Sequence, residues 1–157
     1  MNEFRSRPLN FPWPPLFYIA ACFIGFAIEA RIPSPPGFHL TMVAPIAGWA
    51  FVTMAVSLDI WAMKTLADRD TAVMPMKCAS RLVTCGPYRF TRNPTYLAYT
   101  LLLIGIGLVG GSAWVMIGAV VAAGLTTYLA IRPEEFHLLS RFGFEFERYC
   151  HGTRRWL

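Results

Sequence analysis

The stretch GPYRFTRNPTY, residues 86–96, sets Tyr88, Arg89, Arg92, Asn93 and Tyr96 at the mouth of an apolar run. A second polar group, Pro133-Glu134-Glu135, closes the apolar run that follows. Arginine forks suit carboxylates and phosphates. Asn93-Pro94 reads as a helix start, because Asn caps well and Pro at the first helical position has no amide hydrogen to leave unpaired. Open helix amides beside two arginines make an anion site. The plainer alternative is that the arginines anchor a membrane edge and the rest is capping. Glu134 and Glu135 carry the same ambiguity. Acids in a first helical turn suit the helix dipole whatever their function. Equally, one of them can face the Arg89/Arg92 cluster or a bound cation.

The elements that position these groups follow from composition. Of the 157 residues, 55% are hydrophobic and 15% charged, and the mean hydropathy is +0.45. A soluble domain of this size carries about 25% charged residues. The apolar residues fall into four segments of near membrane-crossing length, 13–30, 40–63, 95–110 and 113–131. These predict an all-α integral membrane protein with about four transmembrane helices. Only Gly110, Gly111 and Ser112 separate the third and fourth, so the pair is expected to form a tight hairpin, one that need not cross the full bilayer. That hairpin returns 132–136 to the side where 86–94 lies, and joins two remote motifs into one candidate site. Residues 133–157 are expected to form one cytoplasmic amphipathic helix, with Leu139, Phe142, Phe146 and Tyr149 as its apolar stripe. The whole chain reads as one domain, with two spans in 1–63 and the connector, hairpin and final helix in 64–157.

Thirteen of the fourteen Lys and Arg residues fall on one side of this arrangement, Arg31 being the exception. The asymmetry predicts a cytoplasmic face that carries both termini, in the inner membrane. Because the basic residues sit close to span ends, the net charge of +5 gives no case for nucleic acid. No removable signal peptide is read in MNEFRSRPLNFPWPP. Cys22, Cys78, Cys85 and Cys150 form no C-x-x-C pair, and His39, His137 and His151 lack ligand spacing, so no metal is expected. The histidines read as surface or interface residues. Gly105 and Gly107 lie inside a span and favour close helix packing, within or between chains. Glu29 and Asp59 lie near span ends, where an acid is either interfacial or functional.

With these residues in place, the chain resembles the isoprenylcysteine carboxyl methyltransferase family, within the small integral-membrane methyltransferases that include the phospholipid N-methyltransferases. The resemblance rests on Gly86, Tyr88, Arg92, Asn93, Pro94 and Tyr96. It continues through Glu134, Glu135, Leu138, Phe142, Gly143, Phe146, Tyr149, Arg155 and Trp156, with Thr71 and Pro75 upstream. It covers about residues 65–157. It implies S-adenosylmethionine as methyl donor, with S-adenosylhomocysteine as product, bound on the cytoplasmic side. Tyr88, Tyr96 and Phe142 would then supply aromatic or cation–π contacts. Arg89, Arg92 and the helix start at Asn93-Pro94 would take the methionine carboxylate. Glu134 and Glu135 would hold the amino group, the ribose or an arginine, and Arg92 and Glu135 would be the catalytic pair. Three features depart from the family: Asn93 stands where eukaryotic members have His, Ala98 stands two residues after Tyr96 where Gly is frequent, and Pro133 precedes the acids, where it can kink the helix.

The resemblance further implies a lipophilic acceptor that enters from the bilayer among membrane lipids. An isoprenylcysteine-type carboxylate is favoured over a phospholipid amine. A carboxylate acceptor needs no general base, whereas an amine must lose a proton, to Glu135 or to water. Two other readings remain: a small proton-coupled transporter using Glu29 or Asp59, and a family member without activity.

Overall fold

A computed structural model describes residues 13–35, 43–69 and 82–157. Its helices are α1 (Trp13–Glu29), α2 (Val43–Ala67), α3 (Pro94–Val109), α4 (Ala113–Thr126), α5 (Arg132–Phe142) and α6 (Phe144–Gly152). A 3-10 turn, Gly86–Arg89, precedes α3, and a π turn, Thr127–Ile131, joins α4 to α5. Among the described residues there is no strand. Arg5, Arg7, His39, Thr71, Pro75, Lys77, Cys78 and Arg81 lie outside them.

Among the described residues two continuous helices, Val43–Ala67 and Ala113–Phe142, are long and apolar enough to cross a membrane. The apolar part of the second ends at Ile131, where Arg132 begins the polar turns. Apolar helices α1 and α3 have 17 and 16 residues, or about 25 Å each at 1.5 Å per residue. That is a little less than the ~30 Å hydrocarbon thickness. The outward face of α2 exposes Val43, Ile46, Trp49, Met54, Ile60 and Met63. A row this apolar matches lipid rather than water.

Small residues set the packing. On α2, Gly48, Ala55 and Ala62 are buried at seven-residue spacing, so one stripe faces α3 throughout. A Cβ on Gly48 would stand 2.8 Å from the Gly105 carbonyl oxygen, and one on Gly105 would stand 2.8 Å from that of Gly48. Backbone therefore meets backbone, which only glycine allows. Gly107 packs closely on the Met116 side chain of α4 and on the carbonyl of its cap, Ser112. The glycines of α3 thus pack within the chain. Tyr18, Leu103, Val115, Ala119 and Ala122 form the core between α1, α3 and α4.

The α3–α4 hairpin turns on Gly111, whose φ of 64° disfavours a side chain. Ser112 then caps α4 through the Val115 amide. Glu29 clamps this end: it accepts the Ser34 amide at 2.7 Å, the Ser34 hydroxyl at 2.5 Å and the Ser112 hydroxyl at 2.8 Å.

At the opposite end the structure departs from the expected single helix over 133–157. Gly143 adopts a φ of 51° and breaks the chain into α5 and α6. The turn resets the helical phase, so the stripe is not continuous: Phe146 is buried while Leu139 is exposed. Pro133 does not end its helix either. The π turn immediately upstream widens the helix where the proline ring would otherwise meet the carbonyl four residues back.

Candidate functional site

α3 begins at Pro94, a fully buried residue. Across the hairpin, α5 begins at Arg132. Their first turns face each other, and two contacts join them. Arg92 Nη2 pairs with Glu135 Oε1 at 3.2 Å, and the Tyr96 hydroxyl donates to Glu134 Oε2 at 3.4 Å. The residues of 86–96 and 134–135 therefore meet, as a short hairpin requires.

The closing segment completes this arrangement. Arg155 Nε reaches both Glu135 oxygens at 3.1 Å, and its Nη2 reaches Oε2 at 2.6 Å. The segment is held in place by backbone: the Arg92 amide donates to the Arg154 carbonyl at 3.0 Å. The Asn93 side-chain amide and the Thr91 hydroxyl both donate to the Arg155 carbonyl, at 2.9 and 3.3 Å. Asn93 thus occupies the cap position of α3, but its side chain makes no cap hydrogen bond. It is the tie that holds the segment at Arg155 against the helix start. Tyr149 of α6 donates to the Tyr88 carbonyl at 2.5 Å, and Trp156 Nε1 donates to Thr127 at 3.3 Å.

Two guanidiniums on one carboxylate leave a surplus positive charge. Side-chain exposure is 14% for Arg92 and 16% for Glu135, against 37% for Arg155, so the cluster is enclosed on the Arg92 side and open on the Arg155 side. Arg92 Nε is buried and has no hydrogen-bond partner among the described residues. Such an orphan donor is costly unless a ligand or water meets it.

The adjacent acid behaves differently. Glu134 lies beyond the last apolar turn, enclosed, with Tyr96 as its hydrogen-bond partner. Burial raises its carboxyl from the ordinary 4.5 to about 7; the Tyr96 hydrogen bond opposes this and Glu135 adds to it. Burial likewise raises the phenols of Tyr88 and Tyr149 above their usual range. Both remain neutral donors at physiological pH.

A third acid approaches from α2. Asp59 lies on the α3-facing stripe, between Ala55 one turn before and Ala62 one turn after. Thr95 stands between Asp59 and Tyr88 and interacts with both. Tyr99 and Tyr88 are within electrostatic reach of Asp59, and Tyr88 and Tyr96 are within reach of Glu134. Asp59 Oδ1 is buried without a partner among the described residues.

Of the residues singled out from sequence, Tyr88, Arg92, Asn93, Pro94, Tyr96, Glu134 and Glu135 converge. Arg89 does not join the Glu135 pair. It is exposed and lies over the Phe90 ring at 5.3 Å. Phe142 ends α5 two turns beyond Glu135, on the same helix face. His137 is buried rather than superficial, with Nε2 unpartnered among the described residues. Sequence reasoning assigned no role to Arg155, Thr91, Thr95 or Tyr99. The basic, aromatic ending Arg154-Arg155-Trp156 was the signal available for the first of these. Among the described residues no group of three or more His, Cys, Asp or Glu is placed to hold a metal ion.

Comparison with known proteins bears on what this arrangement does. The family model described as phospholipid methyltransferase matches residues 43–145, a span that contains α2, the turn at 86–89, the hairpin and both acids. The chain belongs to the phospholipid methyltransferase family. This family falls within the membrane methyltransferase group that resembles the isoprenylcysteine carboxyl methyltransferases. The chain is also 31% identical over 107 residues to the nickel-cobalt-cadmium resistance protein NccN of Alcaligenes xylosoxydans xylosoxydans. That match covers 68% of this chain and 46% of the relative, so the chain spans less than half of its length. No solved structure matches. Family membership implies a methyltransferase of the membrane.

Proposed function

We propose that this protein is a membrane methyltransferase dependent on S-adenosylmethionine, with its donor site at the junction of α3, α5 and the closing segment. The observation that supports this most is the Arg92–Glu135–Arg155 cluster, whose surplus positive charge lies beside the first turn of α3. The donor carries a carboxylate, an ammonium and a methyl group activated on a positively charged sulfur. Arg92 and the open amides at the start of α3 suit the carboxylate. Tyr88, Tyr96 and Phe142 suit the rings and the positive centre, and Glu134 suits the ammonium or a ribose hydroxyl. When bound, the donor supplies a methyl group whose bond to sulfur breaks as the acceptor's lone pair attacks the carbon. The protein's part is alignment and exclusion of water.

The two acids divide the labour. Both Glu135 oxygens are engaged by arginines, so Glu135 positions Arg92 and Arg155. Glu134 is the acid available to a ligand, and it can hold a proton released near neutral pH. The acceptor is a lipophilic molecule entering from the bilayer past the apolar outer face of α2. A phospholipid amine fits the family description and the Glu134 carboxylate, and an isoprenylcysteine-type carboxylate remains the other class. The basic end faces the cytosol, in the inner membrane. A transporter built on Glu29 has less support, because Glu29 is occupied by Ser34 and Ser112 at the far end. The metal-resistance name of the relative belongs to a longer protein, of which the match covers 46%, and names no reaction for this chain.

The test is transfer of a radiolabelled methyl group from S-adenosylmethionine into the organic-extractable fraction by detergent-purified protein supplied with bacterial lipid extract. Wild type is expected to label that fraction, and Glu135→Ala to fall at least a hundredfold. Equal labelling by the two would overturn the assigned site.

A further inference from the structure

We propose that Asp59, Thr95, Tyr88 and Tyr99 form a cation subsite beside the methyl-transfer centre, the Asp59 carboxylate facing a positively charged sulfur or nitrogen. This rests on the methyltransferase reading and assigns a role to a residue that the reading does not use. Four observations carry it. Asp59 lies on the α2 stripe marked by Ala55 and Ala62, and it is part-buried. One of its oxygens is buried and without a partner among the described residues, an arrangement that costs free energy unless a ligand completes it. The groups around it are hydroxyls and aromatic rings: Thr95 beside the carboxylate, Tyr99 and Tyr88 within electrostatic reach. Finally, Tyr88 is within electrostatic reach of both Asp59 and Glu134, which links the subsite to the donor site.

A carboxylate with two tyrosines within electrostatic reach suits a soft, weakly hydrated cation. It repels an anion, and among the described residues Arg92 and Arg155 are paired with Glu135. The cation has two sources in this reaction. It is either the methylated sulfur of the donor or the amine of the acceptor, and in each case the positive charge sits next to the carbon being transferred.

The experiment compares three nucleosides by calorimetry on detergent-purified wild type and Asp59→Asn. S-adenosylmethionine carries a sulfonium at the reacting centre, sinefungin carries an ammonium there, and S-adenosylhomocysteine carries no charge there. If the donor is the source, Asp59→Asn weakens the first two at least tenfold and the third less than twofold. If the acceptor is the source, all three affinities hold within twofold. The apparent KM for dioleoyl phosphatidylethanolamine in mixed micelles then rises at least tenfold. Thr95→Val, which removes the hydroxyl beside the carboxylate and not the charge, shifts the same ratio less and serves if the Asn variant does not fold. Unchanged ratios together with an unchanged amine KM would overturn the subsite while leaving the methyltransferase reading intact. Failure of folded wild type to bind any of the three would overturn that reading and the subsite with it.

Discussion

At the end of the bundle where α1 meets the α3–α4 turn, the polar groups satisfy each other. Glu29 takes three hydrogen bonds from Ser34 and Ser112, the Ser34 hydroxyl in turn accepts from the Ala113 amide at 2.9 Å, and Trp114 Nε1 reaches the Ile32 carbonyl at 2.8 Å. At the other end, Arg92 Nε and Asp59 Oδ1 are buried without partners among the described residues, and two arginines share a single acid. The contrast separates a joint from a site. A joint can be closed by short-range partners on adjacent elements, and once closed it stabilises. A site keeps buried polar atoms unsatisfied, at a cost in stability, so that a ligand can complete them.

Four substitutions bear on this contrast, from the largest expected effect to the smallest. Glu135→Ala leaves the enclosed Arg92 and the partly exposed Arg155 without their shared acid. It should cost roughly 3–4 kcal/mol in detergent unfolding, the lower range for breaking a buried pair, along with at least tenfold in cofactor affinity. Glu134 gives a pH signature. Its folded-state carboxyl titrates near 7 against an ordinary 4.5, so the folded state holds the proton more tightly than the unfolded chain. Stability contributed by this group is therefore present at low pH and falls as pH rises from about 4.5 to 7, by at most ~3 kcal/mol. Thermal unfolding between pH 5 and 8 should show that decline in wild type and a flatter profile in Glu134→Gln; parallel profiles would contradict it. Glu29→Ala should lower stability by about 2 kcal/mol by stranding the Ser34 and Ser112 donors, while nucleoside affinity changes less than twofold. Affinity lost in step with stability would blur the distinction between joint and site. Asn93→Ala, which releases the Arg155 carbonyl, should cost about 1 kcal/mol and loosen the closing segment, read as faster hydrogen exchange at the Arg92 amide.

Much of this arrangement is legible in the chain because it depends on local signals. Asn93-Pro94 marks a helix start whatever the rest of the fold does. Gly110-Gly111-Ser112 is too short to let 95–109 and 113–131 do anything but return side by side, and that alone brings Glu134 and Glu135 to Arg92 and Tyr96. What is not legible depends on phase and on distant partners. The helix α2 is apolar all round, so its periodicity does not say which face meets α3. The inward direction of Asp59 follows only from the Gly48–Gly105 contact. The spacing of Leu139, Phe142, Phe146 and Tyr149 is genuinely helical, yet one positive-φ glycine at 143 divides it. Arg89 and Arg92 look equivalent in sequence. They differ because Arg92 adjoins the backbone pairing with Arg154, while Arg89 falls in the 3-10 turn and points out over Phe90. The link between Asn93 and Arg155 spans 62 residues, and no local rule announces it.

The most direct test of the account is calorimetric titration of detergent-purified protein with S-adenosylhomocysteine, beside Glu135→Ala and Glu29→Ala. Binding by wild type and by Glu29→Ala, weakened at least tenfold in Glu135→Ala, about 1.4 kcal/mol, is the result the account predicts. Absence of binding by folded wild type, or equal binding by all three, would contradict it.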